Sequence, residues 1–172
     1  MKTTTWFKFA ASGPYAFGAC VLKNSKGVKQ LDRKAYRKWL ATTPGIDGRG
    51  VYIFATGQKK PKPWYVGFTR DNDFRGECGG KEWLINKMIQ QAPGAPVLFL
   101  LSAPRGSSAG LASAIDTLET ELIRAAHRTN RDLLNTNKKV PTWDTYVPGV
   151  LRSGAGNRSP AARALAKSLR LR

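Results

Sequence analysis

Histidine is almost missing from this 172-residue chain: His127 stands alone, beside only two cysteines, Cys20 and Cys78. Zinc fingers, HNH-type nucleases and 2-His-1-carboxylate sites need two or more imidazoles, or four Cys/His ligands, and are excluded. A metal here would be a hard, oxygen-bound ion such as Mg²⁺, held by few protein groups. Acid is scarce as well, with 11 Asp+Glu against 29 Lys+Arg, a formal net charge of +18. Such a surplus attracts polyanions, nucleic acid first and anionic membrane surfaces second. No run of about 18 apolar residues exists to span a bilayer. The apolar stretch near the N-terminus is broken by Lys8, Ser12, Gly13 and Pro14, which makes a poor signal-peptide core. Two cysteines in a chain able to bury its own core point to reduced thiols and a cytoplasmic location.

Apolar residues make up 41% and aromatics 10%, enough for a packed core in one compact domain with extensions. Residues 1–45 read as a first extension. Within it, residues 3–10 and 15–22 flank Ser12-Gly13-Pro14 as a hairpin, residues 24–27 form a turn, and Asp32 caps a short basic helix carrying Tyr36, Trp39 and Leu40 on one side. Residues 46–140 form the central domain. Its elements are strands at 50–55 (GVYIFA), 64–69 (WYVGFT) and 97–101 (VLFLL), with a helix at 81–91 between the second and third. A long helix follows, with Leu111, Ile115, Leu118, Leu122 and Ala125 in one stripe. The order β-β-α-β-α predicts an α/β fold: a small three-stranded, mainly antiparallel sheet flanked by helices. Residues 141–172 form a basic C-terminal tail. Ser159-Pro160 opens a basic helix there, or a segment that orders only against phosphates.

The few carboxylates restrict the chemistry. Asp71, Asp73, Glu77 and Glu82 cluster after the second strand, but neither Glu77-Cys78-Gly79 nor Glu82-Trp83-Leu84 puts an acid two positions before a lysine. Gly79-Gly80-Lys81 lacks the first glycine and the hydroxyl residue of a phosphate loop. Another set is better ordered. Gly50-Val51-Tyr52 and Tyr65-Val66-Gly67 are separated by twelve residues, Arg75 lies eight after Gly67, and Glu119-Thr120-Glu121-Leu122-Ile123 lies on the long helix. Asn135 comes sixteen residues after Glu119.

This arrangement, over about residues 50–137, resembles the GIY-YIG endonuclease superfamily, with GVY as first motif, YVG as second and Glu119 in an E-x-x-L-I context. The resemblance implies a catalytic set of Tyr52, Tyr65, Arg75, Glu119 and Asn135. Tyr52 would help activate the attacking water, although a phenol of pKa about 10 is a poor base unaided. Tyr65 would line the site or contact the scissile phosphate. Arg75 would bear on charge building at phosphate oxygens. Glu119 would hold one Mg²⁺ or Mn²⁺, and Asn135 would organise the site rather than react. The chain departs from the family pattern after Arg75, where many members have a longer helix with a histidine. Gly50 and Gly67 should allow close backbone packing.

The resemblance implies a metal-dependent endonuclease acting on phosphodiester bonds, most simply in DNA, with RNA also open. Lys34, Arg37 and Lys38 on the first helix, and Arg158, Arg163, Lys167 and Arg170 in the tail, are expected to touch the phosphate backbone without reading sequence. The alternative is a non-catalytic basic nucleic-acid-binding protein that keeps the fold; a weaker third is attachment of the tail to anionic membranes. Of the tryptophans, Trp64 and Trp143 are the better surface candidates for stacking on bases. His127 sits near a helix end and is assigned no chemistry.

Overall fold

The computed structural model describes residues 7–69, 71–106, 110–135, 147, 150 and 159–170. Its centre is a four-stranded antiparallel sheet made from β1 (Ala10–Ala16), β4 (Gly50–Thr56), β5 (Lys62–Phe68) and β6 (Pro96–Ser102), in the order β1-β6-β4-β5. A separate hairpin joins β2 (Val21–Lys23) to β3 (Lys29–Leu31), and Asn24 Oδ1 closes its turn by accepting from the amides of Lys26 and Val28. The helices are α1 (Arg33–Thr42), α2 (Phe74–Gly79), α3 (Glu82–Gln91), α4 (Leu111–Thr129) and α5 (Pro160–Ser168). Among the described residues, no helix is long and apolar enough to cross a membrane.

Alternation along the strands assigns the layers. Val51, Ile53 and Ala55 point to one face with Val66, Phe99 and Leu101, where the apolar stripe of α4 covers them. Tyr52 and Phe54 point to the other with Trp64, Leu98 and Leu100, beneath Tyr36, Leu40, Phe74, Cys78, Ile85 and Met88 of α1, α2 and α3. The sheet is thus the middle layer of three.

Three expectations are corrected. The sheet has four strands, because β1 joins β6 as an edge strand. The hairpin expected around Ser12-Gly13-Pro14 is absent for the same reason: that tripeptide lies inside β1, where the register with β6 shifts between Ser12 and Tyr15. Proline removes one ladder donor, and an edge strand tolerates this. Trp64 is no surface residue. It is buried, its Nε1 donates to Thr56 Oγ1 at 3.0 Å, and Lys62 lies over the ring. Among the described residues Trp83 is the exposed tryptophan, 64% accessible on the outer side of α3. Trp143 lies outside the described residues, as does Arg158.

The helix signals act as expected. Asp32 Oδ1 accepts from Ala35 N at 3.0 Å to cap α1, and Ser159 Oγ accepts from Ala162 N at 3.1 Å to cap α5. The segment expected as a basic tail helix has a buried side. Ala162, Leu165 and Leu169 pack into the α4 core, and the Ser168 hydroxyl donates to the Pro61 carbonyl. Arg163, Lys167 and Arg170 occupy its exposed side.

Candidate functional site

The two tyrosine motifs meet through strand register. Tyr52 of β4 stands opposite Gly67 of β5, and Phe54 opposite Tyr65. Period-two alternation then puts Tyr52, Tyr65 and Gly67 on one face of the sheet. A Cβ at Gly67 would fall on Cζ and Oη of Tyr52, so the glycine supplies the space the tyrosine ring end occupies. Gly50 serves a similar need at φ +147°, where a Cβ would strike the Leu101 carbonyl of β6. Gly50 and Thr69 tie the end of the hairpin: Gly50 N donates to Thr69 Oγ1, and Thr69 N to Gly50 O, both at 2.9 Å.

Beside these tyrosines is a depression of about 300 Å³, whose walls include Tyr52, Tyr65, Asp71, Glu77, Lys81 and Glu119. Glu119 enters from α4, which packs along β5, and is only 9% accessible. Among the described residues the wall has three carboxylates to one ammonium, in a chain whose formal charge is +18.

Tyr52 is fully buried, and among the described residues its Oη is the one buried side-chain polar atom without a hydrogen-bond partner. Such an atom normally costs about 1–3 kcal/mol. Burial pushes its ionisation far above the ordinary phenol value, with Cys78, Tyr65 and Glu77 adding to the rise. Tyr65's hydroxyl is close enough to contribute, yet the two do not meet hydrogen-bond geometry. Tyr65 is raised too, by burial first and then by Glu119. Both phenols therefore stay protonated at neutral pH and can donate hydrogen bonds.

Asn135 is bonded to the backbone of β5. Its Oδ1 accepts from Val66 N at 2.9 Å and its Nδ2 donates to Val66 O at 2.6 Å. Leu134 N also donates to Trp64 O at 2.8 Å, and Asn130 Nδ2 to Pro63 O at 2.8 Å. The segment after α4 thus occupies the open edge of β5 and fixes the backbone on both sides of Tyr65.

Arg75 is not brought to this depression. Phe74 N and Arg75 N donate to Gly48 O and Ile46 O, both at 2.9 Å, which docks α2 on the loop before β4. The Arg75 guanidinium lies 2.7 Å from Asp47 Oδ1. Asp47 helps line a second depression of about 510 Å³, together with Arg49 and Arg105.

Of the residues expected to hold nucleic acid, Lys34, Lys38, Arg163, Lys167 and Arg170 are exposed. Arg37 Nε bonds Glu82 Oε1 at 2.8 Å, and Arg33 Nε lies 3.2 Å from Glu82 Oε2, so that carboxylate engages two arginines. Sequence reasoning missed Lys81, Glu77 and Asp71 as wall residues. Their clustering after the YVG motif was visible, but the turn of chain that faces them toward Tyr52 was not.

Among the described residues, no three His, Cys, Asp or Glu side chains converge to hold a metal ion. Within the depression, Glu119 is the carboxylate to which the resemblance would assign a hard cation. In comparisons with family models, curated proteins and solved structures, the chain matches none.

Proposed function

We propose that the chain is a metal-dependent endonuclease, hydrolysing phosphodiester bonds in DNA through a GIY-YIG-type site. The observation that carries this reading is the union of Tyr52, Tyr65 and Glu119 around one depression, with the buried Tyr52 hydroxyl lacking a partner among the described residues. A phosphate oxygen or the attacking water would complete that hydroxyl. Glu119 would hold Mg²⁺ or Mn²⁺, which when bound polarises the phosphate and stabilises the leaving oxygen. In hydrolysis, the oxygen of water bonds to phosphorus and gives a proton to solvent. The bond from phosphorus to the 3′ oxygen breaks, and that oxygen takes up a proton to become a hydroxyl, leaving a 5′-phosphate.

The raised ionisation of Tyr52 refines the role the resemblance implies. Tyr52 would serve as a hydrogen-bond donor rather than as a base, and the water's proton would pass to solvent directly or by way of a carboxylate of the wall. The exposed cations of α1 and α5 would hold the polyanion by charge alone. The buried, unbonded thiols of Cys20 and Cys78 suit a reducing compartment such as the cytoplasm.

The outer stripe of Arg163, Lys167 and Arg170 favours a second reading, a basic nucleic-acid-binding protein that does not cut. Supercoiled plasmid at low salt, with Mg²⁺, Mn²⁺ or EDTA, separates the two when wild type is run beside Glu119→Ala. The nuclease reading expects metal-dependent nicking that falls by roughly 10²-fold or more in Glu119→Ala while binding persists. Equal gel shifts without cutting, on plasmid and on branched and single-stranded DNA, would reject it in favour of the binding protein.

A further inference from the structure

We propose that Lys81, and not Arg75, is the cation that meets the scissile phosphate in this site. The inference rests on the nuclease reading for its reaction and on the geometry for its choice of residue. Lys81 is the one cationic residue among the described residues lining the depression that holds Tyr52, Tyr65 and Glu119. Arg75 is committed elsewhere by its backbone and its side chain: its amide bonds Ile46 O, and its guanidinium pairs with Asp47 at 2.7 Å.

Lys81 is held by the break between α2 and α3. Its amide donates to Cys78 O at 3.2 Å, and its carbonyl accepts from Leu84 N and Ile85 N, both at 3.0 Å. The residue is half-buried, so its position is fixed near the backbone while the long side chain retains reach. Gly79 and Gly80 precede it, and beyond the adjoining backbone no described atom lies within 3.4 Å of a Cβ placed at either.

Charge balance gives Lys81 its role. Asp71, Glu77 and Glu119 would repel a phosphodiester, and one divalent ion leaves their three negative charges incompletely matched. Among the described residues, the Lys81 ammonium supplies the remaining positive charge and can pair with a non-bridging phosphate oxygen, where negative charge grows as water adds. The same ammonium opposes metal entry when no phosphate is present.

Two readouts test this, one of them independent of cleavage. Titration with Mn²⁺ alone should find binding about tenfold tighter in Lys81→Met than in wild type, from loss of one positive charge near the ion. Arg75→Met should leave that affinity within twofold. In single-turnover nicking, Lys81→Met should lose roughly 10²-fold or more, Lys81→Arg should recover part of the loss, and Arg75→Met should stay within about fivefold. Lys81→Met cutting within threefold of wild type, or Arg75→Met cutting worse than Lys81→Met, would overturn the assignment. A wild type that does not cut but shows the Mn²⁺ difference would reject the nuclease reading and keep Lys81 as the site's cation. A wild type that neither cuts nor binds Mn²⁺ would reject both.

Discussion

The two faces of the central sheet are built from the same strands and filled with different chemistry. The α4 and α5 side is aliphatic and phenylalanine-lined, with no tyrosine, tryptophan or cysteine among its described core residues. The α1–α3 side packs Tyr36, Tyr52, Trp64, Cys20 and Cys78 among its apolar neighbours. On that side Tyr36 Oη donates to Cys78 O and Trp64 Nε1 donates to Thr56 Oγ1, whereas Tyr52 Oη bonds to nothing among the described residues. One face is closed for stability; the other retains an unmet donor at the wall of a depression, a cost of the kind stored at functional sites.

That contrast can be broken by mutation. Leu122→Ala on the aliphatic face should cost about 2–5 kcal/mol, read from the urea midpoint, with the remaining folded protein still competent at its site. A loss under 1 kcal/mol would mean this face is not the principal store of stability. Gly67→Ala should cost about 1–3 kcal/mol by driving a methyl into the Tyr52 ring, and should reduce cleavage more than its stability loss explains. Wild-type activity in Gly67→Ala would show that the site does not depend on where that ring sits.

Alkali should act through the aromatic face. Burial raises Cys78, Tyr36 and Tyr52, so the folded chain keeps these protons while the unfolded chain loses thiol protons near pH 8.5 and phenol protons near pH 10. Because the unfolded state then binds fewer protons, stability is full below about pH 8.5 and falls as pH rises beyond it. A urea midpoint unchanged from pH 7 to pH 10.5 would contradict this. The smallest effect on folding belongs to the outer side of α5. Neutralising Arg163, Lys167 and Arg170 together should change stability by no more than about 0.5 kcal/mol. It should make log affinity for DNA fall less steeply with log salt, by about 0.9 for each phosphate that these cations neutralise. An unchanged slope would remove α5 from the interface.

Much of the fold was readable because its signals are local. Asp32 and Ser159 start their helices, the leucine stripe of α4 marks its buried side, and the GVYIFA and VLFLL runs become β4 and β6. What escaped notice depends on distant pairing. Residues 10–16 carry a Gly-Pro that locally reads as a turn, and only the free edge of β6 makes them a strand. Trp64 follows a Pro-Lys-Pro loop and reads as exposed, yet it faces the α1–α3 core.

The candidate site divides in the same way. Register alone brings Tyr52, Tyr65 and Gly67 together, and their spacing in the sequence carried that information. The departure of Arg75 was not visible, because it follows from amides of α2 docking on carbonyls of the loop before β4. Lys81 was hidden by the converse: its local Gly-Gly-Lys setting fails as a phosphate loop, and only the turn between α2 and α3 brings it to the depression.

Tyr52→Phe tests the central claim most directly, since it removes one oxygen and leaves the ring in place. Nicking of supercoiled plasmid in Mn²⁺ and the urea midpoint should be measured on the same preparations. The account predicts cleavage reduced roughly 10²-fold or more, with stability unchanged or raised by up to about 3 kcal/mol as the unpartnered buried hydroxyl is removed. Cleavage at the wild-type rate in a stabilised Tyr52→Phe protein would make Tyr52 a core residue only and would contradict the account.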